Sequence, residues 1–180
     1  MRDSISKTNI NKFTKDFKSS ATSNITRNAL VRSNINDVAM DSLTAFAAIG
    51  LTAVTWDGSL TPAGGRAFRH ALDYREPYCS MSEGEMIEMM DALLQRRRQI
   101  GNEPLMLEAA QALSPTQSLT AYAMASELMR SDGPYEASER RHLDHLALVL
   151  SISKPESDRI DSVFDLLHNH LALHSELQLV

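Results

Sequence analysis

After residue 36, apolar residues recur at three- and four-residue spacing through most of the chain, with Gly and Pro falling between the periodic segments. That pattern predicts helices with buried stripes. Met86, Met89, Met90, Leu93 and Leu94 make one such stripe, and Leu143, Leu146, Ala147 and Leu150 a second. Ile160, Val163, Phe164, Leu167 and Leu171 make a third. No run of alternating β-branched residues bounded by turns occurs, so no sheet is expected.

Caps and stops divide the chain into about seven helices. The first is expected from about Asp37 to Trp56, ending at Asp57-Gly58. Thr61-Pro62 starts the second, which reaches about Arg75, because the N-H that proline lacks would be unpaired in a first helical turn. Ser80 with Glu83, and Ser82 with Glu85, each fit a capping box ahead of a third helix that ends at Ile100, with Gly101 as its left-handed cap. Asn102 is expected to cap a short helix through Leu113. Ser114-Pro115 opens a fifth to about Ser131, before Asp132-Gly133. The sixth is expected over Ala137 to Ser151, and Ser153 with Glu156 caps the seventh. The fold class is therefore an all-α, single-domain helical bundle.

Residues 1–36 are rich in Ser, Thr, Asn and Lys and too poor in apolar residues to define a buried face, so they are expected to form a mobile extension with at most a short amphipathic turn at Ile10, Phe13 and Phe17. Seven Lys/Arg against Asp3 and Asp16 give this extension 7 − 2 = +5. With −5 for the whole chain, residues 37–180 then carry −5 − 5 = −10. An acidic body repels phosphate backbones, which argues against nucleic acid as partner. The extension has neither the apolar centre of a secretory signal nor, with its two aspartates, the character of a transit peptide. Cys79 is the single cysteine, which suits a reducing compartment, and no stretch is long and apolar enough for a transmembrane segment. A cytoplasmic location is expected.

Asp57-Gly58 and Asp132-Gly133 stand 132 − 57 = 75 residues apart, each between an Ala-rich helix and an amphipathic one. At that offset Arg66 matches Arg141, Phe68 matches Leu143 and His70 matches His145. The chain therefore carries an internal helix-loop-helix pseudo-repeat, expected to pack about a pseudo-twofold axis. The segments "AFAAIGLTAVTWDGSLTP" and "AYAMASELMRSDGPYEASERRHLDHLALVLSIS", with the helix after Ser153, resemble the TerB-like family, the tellurite-resistance-associated helical domain, over roughly residues 38–172. The resemblance implies a helical bundle that binds or senses metal ions, or acts as a module in stress-response assemblies. It also implies that Asp132 and Glu139 occupy the family's acidic positions. Asp57 matches in the first unit, but Gly64 stands where the second has Glu139, which argues against a symmetrical two-site arrangement.

Asp132, Glu136 and Glu139 are the best candidate ligands for a divalent cation, with Asp57 at the equivalent turn, since a hard cation needs several converging oxygens. The competing reading is structural: the aspartates shape turns and the glutamates favour a helix N-terminus. The loop lacks the alternating aspartates of an EF-hand. His142 with His145, and His170 with His174, have helical spacing but no third ligand, and His168, His170 and His174 suit a helix C-terminus. Arg96, Arg97 and Arg98 suit a basic last turn better than a phosphate site, and the methionine stripe suits a core better than a partner groove. No Gly-x-Ser-x-Gly, P-loop or His-Glu-x-x-His occurs, so no catalytic residue and no certain cofactor is assigned. The leading expectation is a non-enzymatic TerB-like module with a protein partner, a stress-response or interaction role and a weak cation site at the Asp-Gly turns. The alternative is an adaptor whose turns are purely structural, and a third reading is a metal-dependent hydrolase-like enzyme.

Overall fold

A helix that is apolar all round has no solvent face to keep and belongs at the centre of a bundle. Helix α1, Ser42–Val54, is of this kind: residues Ala45 through Ala53 are all buried. It packs chiefly against α4 (Asn102–Gln111) and α5 (Pro115–Leu128), and also against α2 (Pro62–Asp73) and α3 (Glu83–Ile100). Close approach depends on Gly50, where a Cβ would stand 2.4 Å from a ring carbon of Phe68 on α2 and 2.9 Å from the methyl of Met124 on α5. Helix α6 (Ala137–Val149) lies on α4 and α5, and α7 (Lys154–Leu167) lies mainly on α5.

The computed structural model describes residues 40–131 and 135–168, and these form the seven α-helices above, a 3₁₀ turn at Tyr78–Ser80 and no strand. The all-α fold class expected from the pattern is therefore the fold. The expected extension, the second Asp-Gly turn (Asp132, Gly133) and Leu171, His170 and His174 lie outside the described residues. Among the described residues no helix is long and apolar enough to cross a membrane.

Local capping chemistry sets most helix starts. Thr61 Oγ1 accepts the Gly64 N-H at 2.9 Å, Ser82 and Glu85 exchange both bonds of a capping box, and so do Ser114 and Gln117. Glu156 reaches back to the Ser153 N-H at 3.1 Å. Two starts differ from the sequence expectation, and one of the two boxes offered for α3 is not used. Helix α1 begins at Ser42, because Asp41 accepts the Thr44 N-H at 2.9 Å and its hydroxyl at 2.7 Å. Ser80 does not cap α3 but donates to the Glu76 carboxylate. Asn102 is the first residue of α4 and not its cap, since its side chain is drawn to α1: its amide donates to the Thr52 carbonyl at 3.1 Å.

The end of α6 is a Schellman motif without glycine. Ser151 adopts φ 57°, its N-H donates to the Leu148 carbonyl at 3.0 Å, and the Ile152 N-H donates to that of Ala147 at 2.8 Å. Gly101 has positive φ as expected, with its N-H bonded to the Arg97 carbonyl.

The α3 and α6 stripes are core: Met86, Met90, Leu93, Leu94, Leu143, Leu146, Ala147 and Leu150 are buried and Met89 packs against them. The stripe expected on α7 is not. Val163 is 51% exposed and Leu167 71%, together with Leu166 at 73%, whereas Ser157 and Asp161 are the residues of this helix that are buried. Ile160 and Phe164 are half-buried. Helix α7 has turned its polar side to the body.

Candidate functional site

The inversion of α7 has its cause in a guanidinium on the stretch that follows α5. Arg130 is buried, and its Nη1 donates to the Ser126 carbonyl at 2.8 Å, to Ser126 Oγ at 2.7 Å and to the Tyr135 hydroxyl. Its Nη2 donates to the Asp161 carbonyl at 3.0 Å and to the Asp165 carboxylate. A buried charge must be paired and hydrogen-bonded, and α7 supplies the carboxylate of this pair, Asp165, and a carbonyl, that of Asp161, from its inward side.

Asp161 is equally well surrounded. Its Oδ1 accepts from Ser126 Oγ at 2.6 Å, and its Oδ2 accepts from the Tyr122 hydroxyl at 3.0 Å and from Arg140 Nη1 of α6 at 2.6 Å. Burial, reinforced by the Asp161 charge, pushes the Tyr122 hydroxyl far above its ordinary range, so this tyrosine keeps its proton and donates. Burial likewise raises Tyr135. The Tyr135 ring lies 3.8 Å from the Arg130 guanidinium carbon and 5.1 Å from that of Arg140. One network thus joins α5, α6, α7 and Tyr135. Its groups satisfy one another, which makes it a clamp.

With that side of α7 committed, Val163, Leu166 and Leu167, at i, i+3 and i+4, form an apolar face turned to solvent. A groove of about 340 Å³ adjoins its end, lined by Ala67, Ala71, Tyr74, Leu128 and His168 among others.

The sequence-assigned cation ligands are placed as follows. Asp57 Oδ1 accepts the Ser59 N-H at 2.9 Å and its carboxylate also accepts the Ser59 hydroxyl, while Gly58 takes φ 96°. Glu139 Oε2 accepts the N-H of Glu136, the N-cap residue of α6, at 2.7 Å. Asp132 lies outside the described residues. Among those that are described, no group of three or more His, Cys, Asp or Glu is arranged to hold a metal ion.

Of the remaining candidates, Arg96, Arg97 and His145 have polar partners. Arg96 makes a two-pronged pair with Glu108 of α4, at 2.6 and 3.1 Å. Arg97 donates to the Thr55 carbonyl at 3.0 Å and to Asn102 Oδ1 at 2.9 Å, tying the end of α1 to the α3–α4 joint. His145 Nε2 lies 2.6 Å from Glu103 Oε1. His142 packs beside Trp56 with its Nε2 buried and unpartnered. Burial, then the neighbouring His145, lower its pKa, and Glu103 opposes them. Cys79 is exposed, and its hydrogen bond with Glu76 pushes its thiol pKa up.

Sequence reasoning missed Tyr122, Ser126, Arg130, Tyr135, Arg140, Asp161 and Asp165. The one available signal was Ser157, Asp161 and Asp165 recurring at four-residue spacing along one face of a helix. No family model, curated protein or solved structure matches this chain.

Proposed function

We propose that this protein is a non-enzymatic helical interaction module whose contact surface is the outward face of α7, and that its Asp-Gly turns are structural. The observation that carries this is the inversion of α7: Val163, Leu166 and Leu167 are spent on solvent while Asp161 occupies the interior. Contiguous exposed leucines on a helix held rigidly by a polar clamp are what a protein partner buries. The hydrogen bonds of Asp57 to Ser59 and of Glu139 to Glu136 favour structural turns over a cation site. The Cys79 thiol, its pKa raised by the hydrogen bond with Glu76, is not activated as a nucleophile. The resemblance of the two Asp-Gly units to the TerB-like family points that role toward stress-response assemblies.

The test is proximity crosslinking in the native cell with full-length protein. Leu166→Asp/Leu167→Asp is expected to lose at least tenfold of the specific partners, while the exposed control Gln95→Asp keeps them. An unchanged partner set in the leucine variant would remove α7 as the contact surface.

A further inference from the structure

Resting on the reading of α7 as the contact surface, we propose that its apolar face is occupied in the free protein by this chain's own basic segment Lys7–Lys18, which lays Ile10, Phe13 and Phe17 on Val163, Leu166 and Leu167. The two stripes match in kind. Ile10, Phe13 and Phe17 stand at i, i+3 and i+7 in the sequence, and Val163, Leu166 and Leu167 at i, i+3 and i+4 on α7, so each set holds three large apolar residues at helical spacing.

Charge selects this occupant over a second copy. Lys7, Lys12, Lys15 and Lys18 against Asp16 give the segment 4 − 1 = +3. Helix α7 holds Lys154 and Arg159 against Glu156, Asp158, Asp161 and Asp165, or 2 − 4 = −2, but Asp161 and Asp165 are paired with Arg140 and Arg130, so the attracting charge is chiefly that of the body, −10. The side chain of Asp165, beside Leu166, is 56% exposed. Two copies meeting through this face would bring like-charged bodies together, whereas the extension brings the opposite sign. Glu127 on the rim of the neighbouring groove adds a further anionic position near His168.

The tether is long enough. From Lys18 to Asp41 the chain can extend by up to ~80 Å, against a radius of gyration of about 14 Å for a body of this size. Such a tether holds the segment at an effective concentration of order millimolar, so three apolar contacts and charge attraction suffice for substantial occupancy. The consequence is self-masking: a partner must displace the segment, and added salt, which screens the charges, exposes the face.

The experiment is paramagnetic broadening in the full chain. A spin label is attached at Ser162→Cys in a Cys79→Ser background, and amide signals of residues 1–36 are compared with the reduced label. Signals of residues 10–17 are expected to lose more than half their intensity while residues 22–35 lose less, and Phe13→Ser/Phe17→Ser to restore the lost intensity at least twofold. Uniform attenuation along the extension, or none, overturns the proposal. A mixture of isotope-labelled protein without spin label and spin-labelled protein without isotope checks the occupant. Broadening in the isotope-labelled copy means a second copy covers the face, and it overturns the proposal too. If attenuation fails while Leu166→Asp/Leu167→Asp still loses its partners, self-occupancy is wrong and the contact surface stands. If both fail, the reading of α7 falls with it.

Discussion

A histidine whose buried nitrogen has no partner is a local liability, and His142 is that residue. Its pKa is lowered in the fold by burial and by His145, against an unfolded value of about 6.5. Between its folded pKa and about 6.5 the unfolded chain therefore holds a proton that the folded chain does not, so this group's contribution to stability is present above that window and declines as pH falls through it. His142→Phe keeps the packing against Trp56 and removes the titration. We predict that urea unfolding finds the variant at least as stable as wild type at pH 7.5, and that its advantage grows on going to pH 5.5. An advantage that shrinks on acidification would show that His142 gains a proton more readily in the fold. In the sequence His142 and His145 read only as a pair without a third ligand. That Trp56 covers one and Glu103 meets the other depends on α1 and α4, far away in the chain.

At the scale of elements, legibility followed the range of the interaction. Ser82 with Glu85, Ser114 with Gln117 and Thr61-Pro62 were readable because cap and partner lie three residues apart and need nothing else. The α4 start was misread because Asn102 bonds to Thr52 on α1, and the α6 stop was blurred because Ser151 occupies the left-handed position where glycine is usual. The α7 stripe failed for the same reason on a larger scale. Periodicity finds an apolar face but cannot say that Arg130, buried at the end of a different helix, claims the opposite one. Of the candidate cation ligands that are described, Asp57 is a turn residue and Glu136 and Glu139 are cap residues. We predict that millimolar calcium, magnesium, manganese or zinc leaves the thermal midpoint where chelator leaves it, because a ligand that binds only the folded form must raise it. A selective rise abolished by Asp132→Ala or Glu139→Ala would restore the cation site.

The described residues form a bundle assembled around α1, with a hydrophobic centre and a polar clamp that orients the last described helix. An apolar isostere at the clamp is not equivalent to removing one partner. Taking away the Asp161 carboxylate leaves Arg140 without its partner and Tyr122 and Ser126 without an acceptor, and breaking a buried pair in this way costs about 3–5 kcal/mol. Leu166 and Leu167, although the larger apolar groups, lie outside and should each cost less than about 0.5 kcal/mol when made polar. The most direct measurement is therefore urea unfolding of Asp161→Ala beside Leu166→Ser/Leu167→Ser in the full chain. A loss of about 3–5 kcal/mol for the first is expected, and at most about 1 kcal/mol for the second, which releases only the tethered segment. The reverse order, with the leucines costing the ~2–5 kcal/mol of core residues, would mean that α7 packs through its apolar side and that no contact surface is there to be masked.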